Sequence, residues 1–238
     1  MLEAFGVTDR GCVRPNNEDY FVSDATSGIF ILADGMGGVN GGEHASRIGA
    51  EHLYAYLVSA NGSNSAEVLK TGFGEANAAV REYAKQHAGY EGMGTTLVAA
   101  RTVAGNQIQV ASVGDSRAYL FSGGQLTVLT QDQTWTAEVG SHLGLTEEAL
   151  NAHPMRHVLT MAIGCEEELR IESTVAFLNT GDQIVLCSDG LHGVIGEKTL
   201  AAALISEKSL KEKAHYLVEA AKEKGGPDNI TVVLIRSV

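Results

Sequence analysis

Phe30-Ile31-Leu32-Ala33-Asp34-Gly35-Met36-Gly37-Gly38, continuing as Val39-Asn40-Gly41-Gly42, is the stretch on which the fold of this 238-residue chain turns. A short apolar run of this kind reads as a buried strand. It gives way to a carboxylate, which places Asp34 where the strand is expected to stop, at the rim of a sheet. The glycines that follow let the backbone come close to a neighbour and present its carbonyls and amides. Two plain readings compete. One is a strand-to-helix turn in which Asp34 is a turn former. The other is a phosphate cradle, which fails because no lysine precedes Lys70 and no G-K-[ST] follows the glycines. A carboxylate in front of glycines suggests a cation instead, provided other carboxylates are placed in the same way.

The totals set the frame. The chain is long enough for one sizeable core, and a single domain over residues 1–238 is expected. Its apolar fraction of 44% and charged fraction of 19% are those of an ordinary globular domain. The net charge of −12 argues against a nucleic-acid partner. Cys12, Cys165 and Cys187 are odd in number, widely spaced and in no C-x-x-C pattern, as expected of reduced thiols in a cytoplasmic protein. No run approaches the roughly 20 apolar residues of a membrane span, and the N-terminus lacks a basic-then-apolar leader pattern, so no membrane insertion is expected.

Along the chain, Leu2 to Val7 predicts a first strand. A polar loop through Arg14 and Glu18-Asp19 leads into a second strand, which pairs as a hairpin with Ile29 to Ala33. From Glu43 the apolar period becomes helical, ending near Asn61-Gly62. Asn64-Ser65 can cap a second long helix that runs to Tyr83. His44, His52 and His87 fall in or beside these helices as packing or surface residues. Gly94 to Ala100, Gln107 to Val113, Ala118 to Phe121 and Leu126 to Leu129 predict a meander of antiparallel strands, broken at Gly114-Asp115-Ser116-Arg117. Residues 131–165, with Trp135 and His157, are the least regular, and a long irregular segment inside a compact domain is usually functional. A strand is predicted from Leu169 to Phe177, and Gln183 to Cys187 then repeats the opening device by ending in Ser188-Asp189-Gly190. Helices around Thr199 to Ser206 and Leu210 to Lys224 precede Asp228-Asn229 and a last strand from Ile230 to Arg236.

Asp34, Asp115, Asp189 and Asp228 thus share one placement, at the ends or breaks of strands. Hard divalent cations take oxygen ligands, and aspartates at strand ends supply them without long flexible stems. Gathered together, such carboxylates would repel each other unless cations lay among them.

The same residues carry a family resemblance over essentially the whole chain. R-x-x-N-E-D at 14–19, A-D-G-M-G-G at 33–38, G-T-T at 94–96, V-G-D-S-R at 113–117, S-D-G-L at 188–191 and D-N-I-T at 228–231 stand in the order found in the metal-dependent protein serine/threonine phosphatases (the PPM family, type 2C). The chain resembles a bacterial stand-alone member. The resemblance implies an α+β fold, a four-layer α-β-β-α sandwich of two antiparallel sheets flanked by helices. It implies two Mg²⁺ or Mn²⁺ ions per site, with Asp34 bridging them, the Gly35 carbonyl on one, and Asp189 and Asp228 on the other. Glu18 and Asp19 would hold metal-bound waters or coordinate a metal at the edge of the site, and Arg14 would bind the substrate phosphate. Asp115 would help to hold a weaker third ion. Residues 131–165 resemble the family's flap, which influences substrate choice. The implied activity is hydrolysis of phosphoserine and phosphothreonine in proteins by metal-activated water. Its implied setting is cytoplasmic signal transduction opposite a cognate Ser/Thr kinase, the enzyme acting as a monomer.

Two positions depart from the family pattern. Met36 stands where many eukaryotic relatives have a histidine, so it cannot supply the leaving group's proton. Gly193 stands where relatives often have an aspartate, which weakens the expectation of a third ion. A rival reading is a catalytically inactive scaffold or phosphoprotein-binding module on this fold. Degenerate members would be expected to lose metal carboxylates, yet Asp34, Asp189 and Asp228 are all present.

Overall fold

A computed structural model describes residues 1–60, 67–143, 146–151 and 153–238; the helix end expected at Asn61-Gly62 and the cap expected at Asn64-Ser65 lie outside the described residues. Eleven strands are described: β1 (Leu2–Asp9), β2 (Asp19–Asp24), β3 (Ile29–Met36), β4 (Gly94–Thr95), β5 (Leu97–Thr102), β6 (Gln107–Val113), β7 (Arg117–Ser122), β8 (Gln125–Val128), β9 (Glu172–Phe177), β10 (Gln183–Cys187) and β11 (Ile230–Ser237). The helices are α1 (Gly38–Ser59), α2 (Glu67–Gln86), the short α3 (Trp135–Glu138) and α4 (Glu147–Asn151), α5 (Asp189–Ile205) and α6 (Leu210–Glu223).

The strands form two antiparallel sheets, one in the order β1-β11-β10-β7-β8 and one in the order β2-β3-β5-β6-β9, with β4 added beside β3. The period-2 alternation of buried strands explains the layering, because both faces of the central strands are covered. On β3, Ile29, Ile31 and Ala33 pack toward α1 and α2, while Phe30 and Leu32 point between the sheets. On β11, Ile230, Val232 and Leu234 pack toward α5 and α6, while Val233 and Ile235 meet Phe30 and Leu32 in the central layer. The result is the helix–sheet–sheet–helix stack that the resemblance implies.

Several local expectations are corrected. Asp34 does not end its strand, because Gly35 and Met36 continue β3 by pairing with Thr95 and Gly94. The first helix begins five residues before Glu43, at Gly38. There the chain needs small residues: a Cβ on Gly41 would press on Met93, and one on Gly42 would strike the Glu18 carboxylate. The helix expected from Thr199 starts at Asp189 and is broken internally at Gly196, whose φ is 73°. The expected single meander is in fact split. Strand β6 lies in one sheet and β7 in the other, and the chain changes sheets at Gly114, whose φ of 98° only glycine adopts freely. That crossover carries Asp115.

The central layer leaves no room for relaxation, since Leu32 is wholly buried between two sheets. Leu32→Ala is expected to lower the free energy of unfolding by about 2–5 kcal/mol, read as a reduced midpoint in chemical denaturation with an unchanged slope.

Candidate active site

The start of β2, the end region of β3, the first turn of α5, the 114–116 crossover and the turn before β11 bring the predicted acids together. Strand register sets Asp19 of β2 directly opposite Asp34 of β3. Asp189, at the first turn of α5, faces the same cluster, where the charges of Asp228 and Arg14 also act on it. Asp115 enters from the sheet crossover, and Asp228 from the turn before β11. The charges of Asp19, Asp189, Asp115 and Asp228 all act on Asp34.

The hydrogen bonds explain why each acid sits where it does. Ser188 precedes α5 in the N-cap position, but its hydroxyl does not cap the helix. It donates to Asp19 Oδ2 at 2.8 Å and accepts from the Thr231 N–H at 3.0 Å. Thr231 Oγ1 donates to the same Asp19 oxygen at 2.6 Å. Asp19 is thereby tied across the gap to the other sheet. Thr96, from the G-T-T segment, accepts the Asp34 N–H at 3.0 Å, and its hydroxyl is shared with Ser116 at 2.7 Å, next to Asp115. Asn229 clamps the Arg14 loop: its amide donates to the carbonyls of Arg10 and Asn16, both at 2.9 Å, and its oxygen accepts the Glu18 N–H at 2.8 Å. Ser188, Thr231, Thr96 and Asn229 lie within the sequence motifs, yet their roles in holding the acids emerge only from the fold. Ser188 and Asn229, each adjacent to an acid, carried a signal in their spacing, whereas Thr96 and Thr231 did not.

Around this frame, Gly35 lies so close to its neighbours that a Cβ there would collide with the Gly42 and Glu18 carbonyl oxygens. Glu18 is half-buried, with its carboxylate over Gly42. Arg14 is half-exposed at the rim and its Nη2 is 2.6 Å from Asp228 Oδ2. His157 of the irregular segment acts electrostatically on Asp189, which puts that segment beside the site. Trp135 stacks on His153 with ring centroids 4.2 Å apart, a packing role within the segment. His44 lies 5.6 Å from Tyr83 and 5.0 Å from Tyr90 in an aromatic cluster, also as a packing residue.

Electrostatics register the crowding. Burial first, then the charges of Asp189 and Asp228, push the Asp19 carboxyl up to about 7 against the pull of its hydroxyl partners. Burial first, then Asp189 and Asp132, take Asp115 to about 8. Asp34 is held well above the usual carboxylate range by burial and then Asp19, and Asp189 is raised by burial and then Asp228. Burial first and Arg117 next lower His192 to about 4.

The donor set fits hard divalent cations. Asp19 Oδ1 and Asp189 Oδ1 are buried oxygens with no hydrogen-bond partner, and an unpaired buried carboxylate oxygen is costly unless something positive meets it. The fit rests on this chemistry and not on a preformed cage. Among the described residues, no three His, Cys, Asp or Glu side chains already stand as a metal-holding group, and Asp228 is engaged by Arg14.

A sequence model described as protein phosphatase 2C matches residues 14–234. The chain belongs to the protein phosphatase 2C family. It is 36% identical over 235 residues to the serine/threonine phosphatase stp of Listeria welshimeri, with 96% of this chain and 93% of that protein covered. The crystal structure of the Mycobacterium tuberculosis serine/threonine phosphatase PstP/Ppp superposes with a TM-score of 0.87 at 34% identity, covering 99% of this chain and 98% of that one. The catalytic domain of a PstP phosphatase in complex with two manganese ions superposes with a TM-score of 0.85 at 34% identity, over 99% of this chain and 97% of that one. As a 2C member related over its length to named phosphatases, the chain is a metal-dependent protein serine/threonine phosphatase. The position at which 2C relatives often add another aspartate is Gly193, and a Cβ there would meet only open space.

The raised carboxyls carry a pH dependence of defined sign. Asp19 and Asp115 hold protons to about 7 and about 8 when folded, against about 4 in an unfolded chain. The folded state then binds more protons between those limits, so their stabilisation is complete at low pH and is lost as pH rises through the folded values. In chelator, the thermal midpoint is expected to fall between about pH 5 and about pH 8. Added Mn²⁺ should raise it more at the upper end, where no proton has to be displaced. A midpoint in chelator that climbs over this range would contradict the carboxyl assignment.

Proposed function

We propose that this chain hydrolyses phosphoserine and phosphothreonine in proteins, opposing a Ser/Thr kinase, and that residues 1–238 form a single catalytic unit. The observation that carries this reading is the pair of buried, unpartnered oxygens on Asp19 and Asp189, gathered against Asp34. Asp34, the Gly35 carbonyl, Asp189 and Asp228 would hold two Mg²⁺ or Mn²⁺ ions. Glu18 and Asp19 would hold metal-bound waters or coordinate at the edge, and Asp115 would act at a weaker third position. When bound, such ions supply Lewis acidity, bringing the pKa of water toward neutrality and offsetting negative charge at phosphorus.

The chain's own residues do the rest. Arg14 has the planar fork suited to two phosphate oxygens. Its loop is held by the Asn229 clamp, so the guanidinium approaches from a fixed direction at the rim. The β2–β3 register keeps Asp34 and Asp19 on rigid backbone, which favours precise placement of charge. Met36 has no proton to give, so leaving-group protonation falls to water or another group. The cysteines are free thiols, and burial raises the Cys187 thiol to about 12, which leaves it unsuited to be a nucleophile. Phosphorylated proteins are the proposed substrates, with a cognate kinase in the same signalling pathway and a monomeric, cytoplasmic enzyme. Among the described residues, no helix is long and apolar enough to cross a membrane.

EDTA is expected to abolish hydrolysis of an aryl phosphate, and excess Mn²⁺ to restore it. Asp34→Asn should lower kcat/KM by more than about 100-fold with the thermal midpoint in chelator unchanged or raised. Hydrolysis that survives both chelation and this substitution would exclude the mechanism. The neighbouring irregular segment gives a second test. Substitutions at exposed positions of 131–157, such as Val139 or Met155, are expected to change kcat/KM on phosphopeptides several-fold while leaving aryl phosphate hydrolysis within about twofold. Equal effects on both substrates would remove the recognition role.

A further inference from the structure

The 114–117 crossover is tied down almost residue by residue. Gly114 exchanges hydrogen bonds with Gln133, its N–H donating to the side-chain oxygen at 2.9 Å and its carbonyl accepting the Gln133 N–H at 3.0 Å. Ser116 shares its hydroxyl with Thr96. Arg117 forks onto Asp132 at 2.8 and 2.7 Å. All of these anchors lead to the β2–β9 sheet or to the base of the irregular segment. Asp115 is tied elsewhere: His192, in the first turn of α5, brings its Nε2 to 3.0 Å from the Asp115 carbonyl oxygen. A carbonyl only accepts, so Nε2 carries the proton.

We propose that His192 is a positioning residue, whose Nε2–H bond to the Asp115 carbonyl fixes the crossover against the helix that opens with Asp189 and so sets Asp115 relative to Asp189. Asp189 is three residues before His192, on the same rigid turn, and Asp115 is the residue that accepts the bond. One side chain therefore links the turn that carries Asp189, after β10, to the crossover that carries Asp115, just before the neighbouring strand β7. The need is specific to this sequence. The neighbouring position 193 is glycine, so Asp115 has no second carboxylate beside it on this turn, and a lone acidic group depends more on how its backbone is held. This inference rests on the metal-site reading given above.

The test measures Mn²⁺ binding directly, by calorimetry and by the free-ion electron paramagnetic resonance signal, alongside kcat and KM on a phosphopeptide. His192→Gln keeps an N–H at the reach of Nε2 and is expected to bind Mn²⁺ within about threefold of the parent. His192→Leu keeps the volume but loses the donor. It should weaken the weakest Mn²⁺ site about tenfold or more and lower kcat with little change in KM. In an Asp115→Asn background the same Leu substitution should add no further loss, because its effect runs through Asp115.

Parent-like Mn²⁺ binding by His192→Leu would overturn the proposal. So would a full, undiminished loss in the Asp115→Asn background, or a Gln variant that folds normally yet binds as weakly as Leu. If His192→Leu does not fold, the Gln variant decides alone, its retention of Mn²⁺ supporting the assignment and its loss overturning it. A parent protein that binds no Mn²⁺ at all would instead overturn the metal-site reading itself.

Discussion

Asp19 and Asp34 face each other across the β2–β3 ladder, and like charges directly opposite in a sheet repel. Two ionised carboxylates about 5 Å apart, in surroundings with an effective dielectric of about 20, repel by about 3 kcal/mol. Asp189 and Asp115 add to the same buried space. Whole domains are stable by only about 5–15 kcal/mol, so several such repulsions together could consume most of that margin. The end of the sandwich therefore requires compensation by protons or by cations. The raised carboxyls are the proton form of that compensation, and the unpartnered oxygens are where the cationic form would act. Much of the surrounding structure, from the Ser188 and Thr231 hydroxyls to the Thr96 bridge, restrains groups that would otherwise move apart.

The architecture divides this task between stiff and adjustable parts. Central strands with both faces buried give the acids a backbone that does not yield, since Phe30, Ile31, Leu32 and Ala33 are wholly buried just before Asp34. Arg14, by contrast, sits on a loop with half its side chain exposed and reaches Asp228 from the rim. Asn229 links the two regimes, because the residue after a candidate ligand also holds the loop that carries the arginine. A substitution at Asn229 would disturb both at once.

What could be read from the sequence was whatever a few adjacent residues decide. The apolar runs ending in acids gave the central strands, and the recurrence of Asp beside Gly gave the acids themselves. What was hidden depended on distant partners. The two-residue strand Gly94–Thr95 has no pattern of its own, and it exists because β3 continues past Asp34 to meet it. Helix α1 starts among glycines that disfavour helix by propensity; tight packing against Met93 and Glu18 selects them instead. The passage from one sheet to the other at Gly114 looks like any turn, because a positive φ serves a hairpin and a crossover equally. Ser188 looks like a helix cap, and only the fold shows that its hydroxyl is spent on Asp19.

The electrostatics also constrain the order in which the site can be assembled. A phosphate monoester is an anion, the chain carries a net charge of −12, and acids crowd this end of the sandwich. Arg14 is the one cationic side chain hydrogen-bonded to the acids of this cluster among the described residues, and part of its charge is already matched by Asp228. Without further positive charge the acid cluster would repel the group it is proposed to cleave. On the proposed reading, cation binding must come before phosphate binding, and each carboxylate that raises cation affinity also raises the barrier to an unaccompanied substrate. The acids that make the site costly to fold would then also make it selective, admitting phosphate only once the cations are in place.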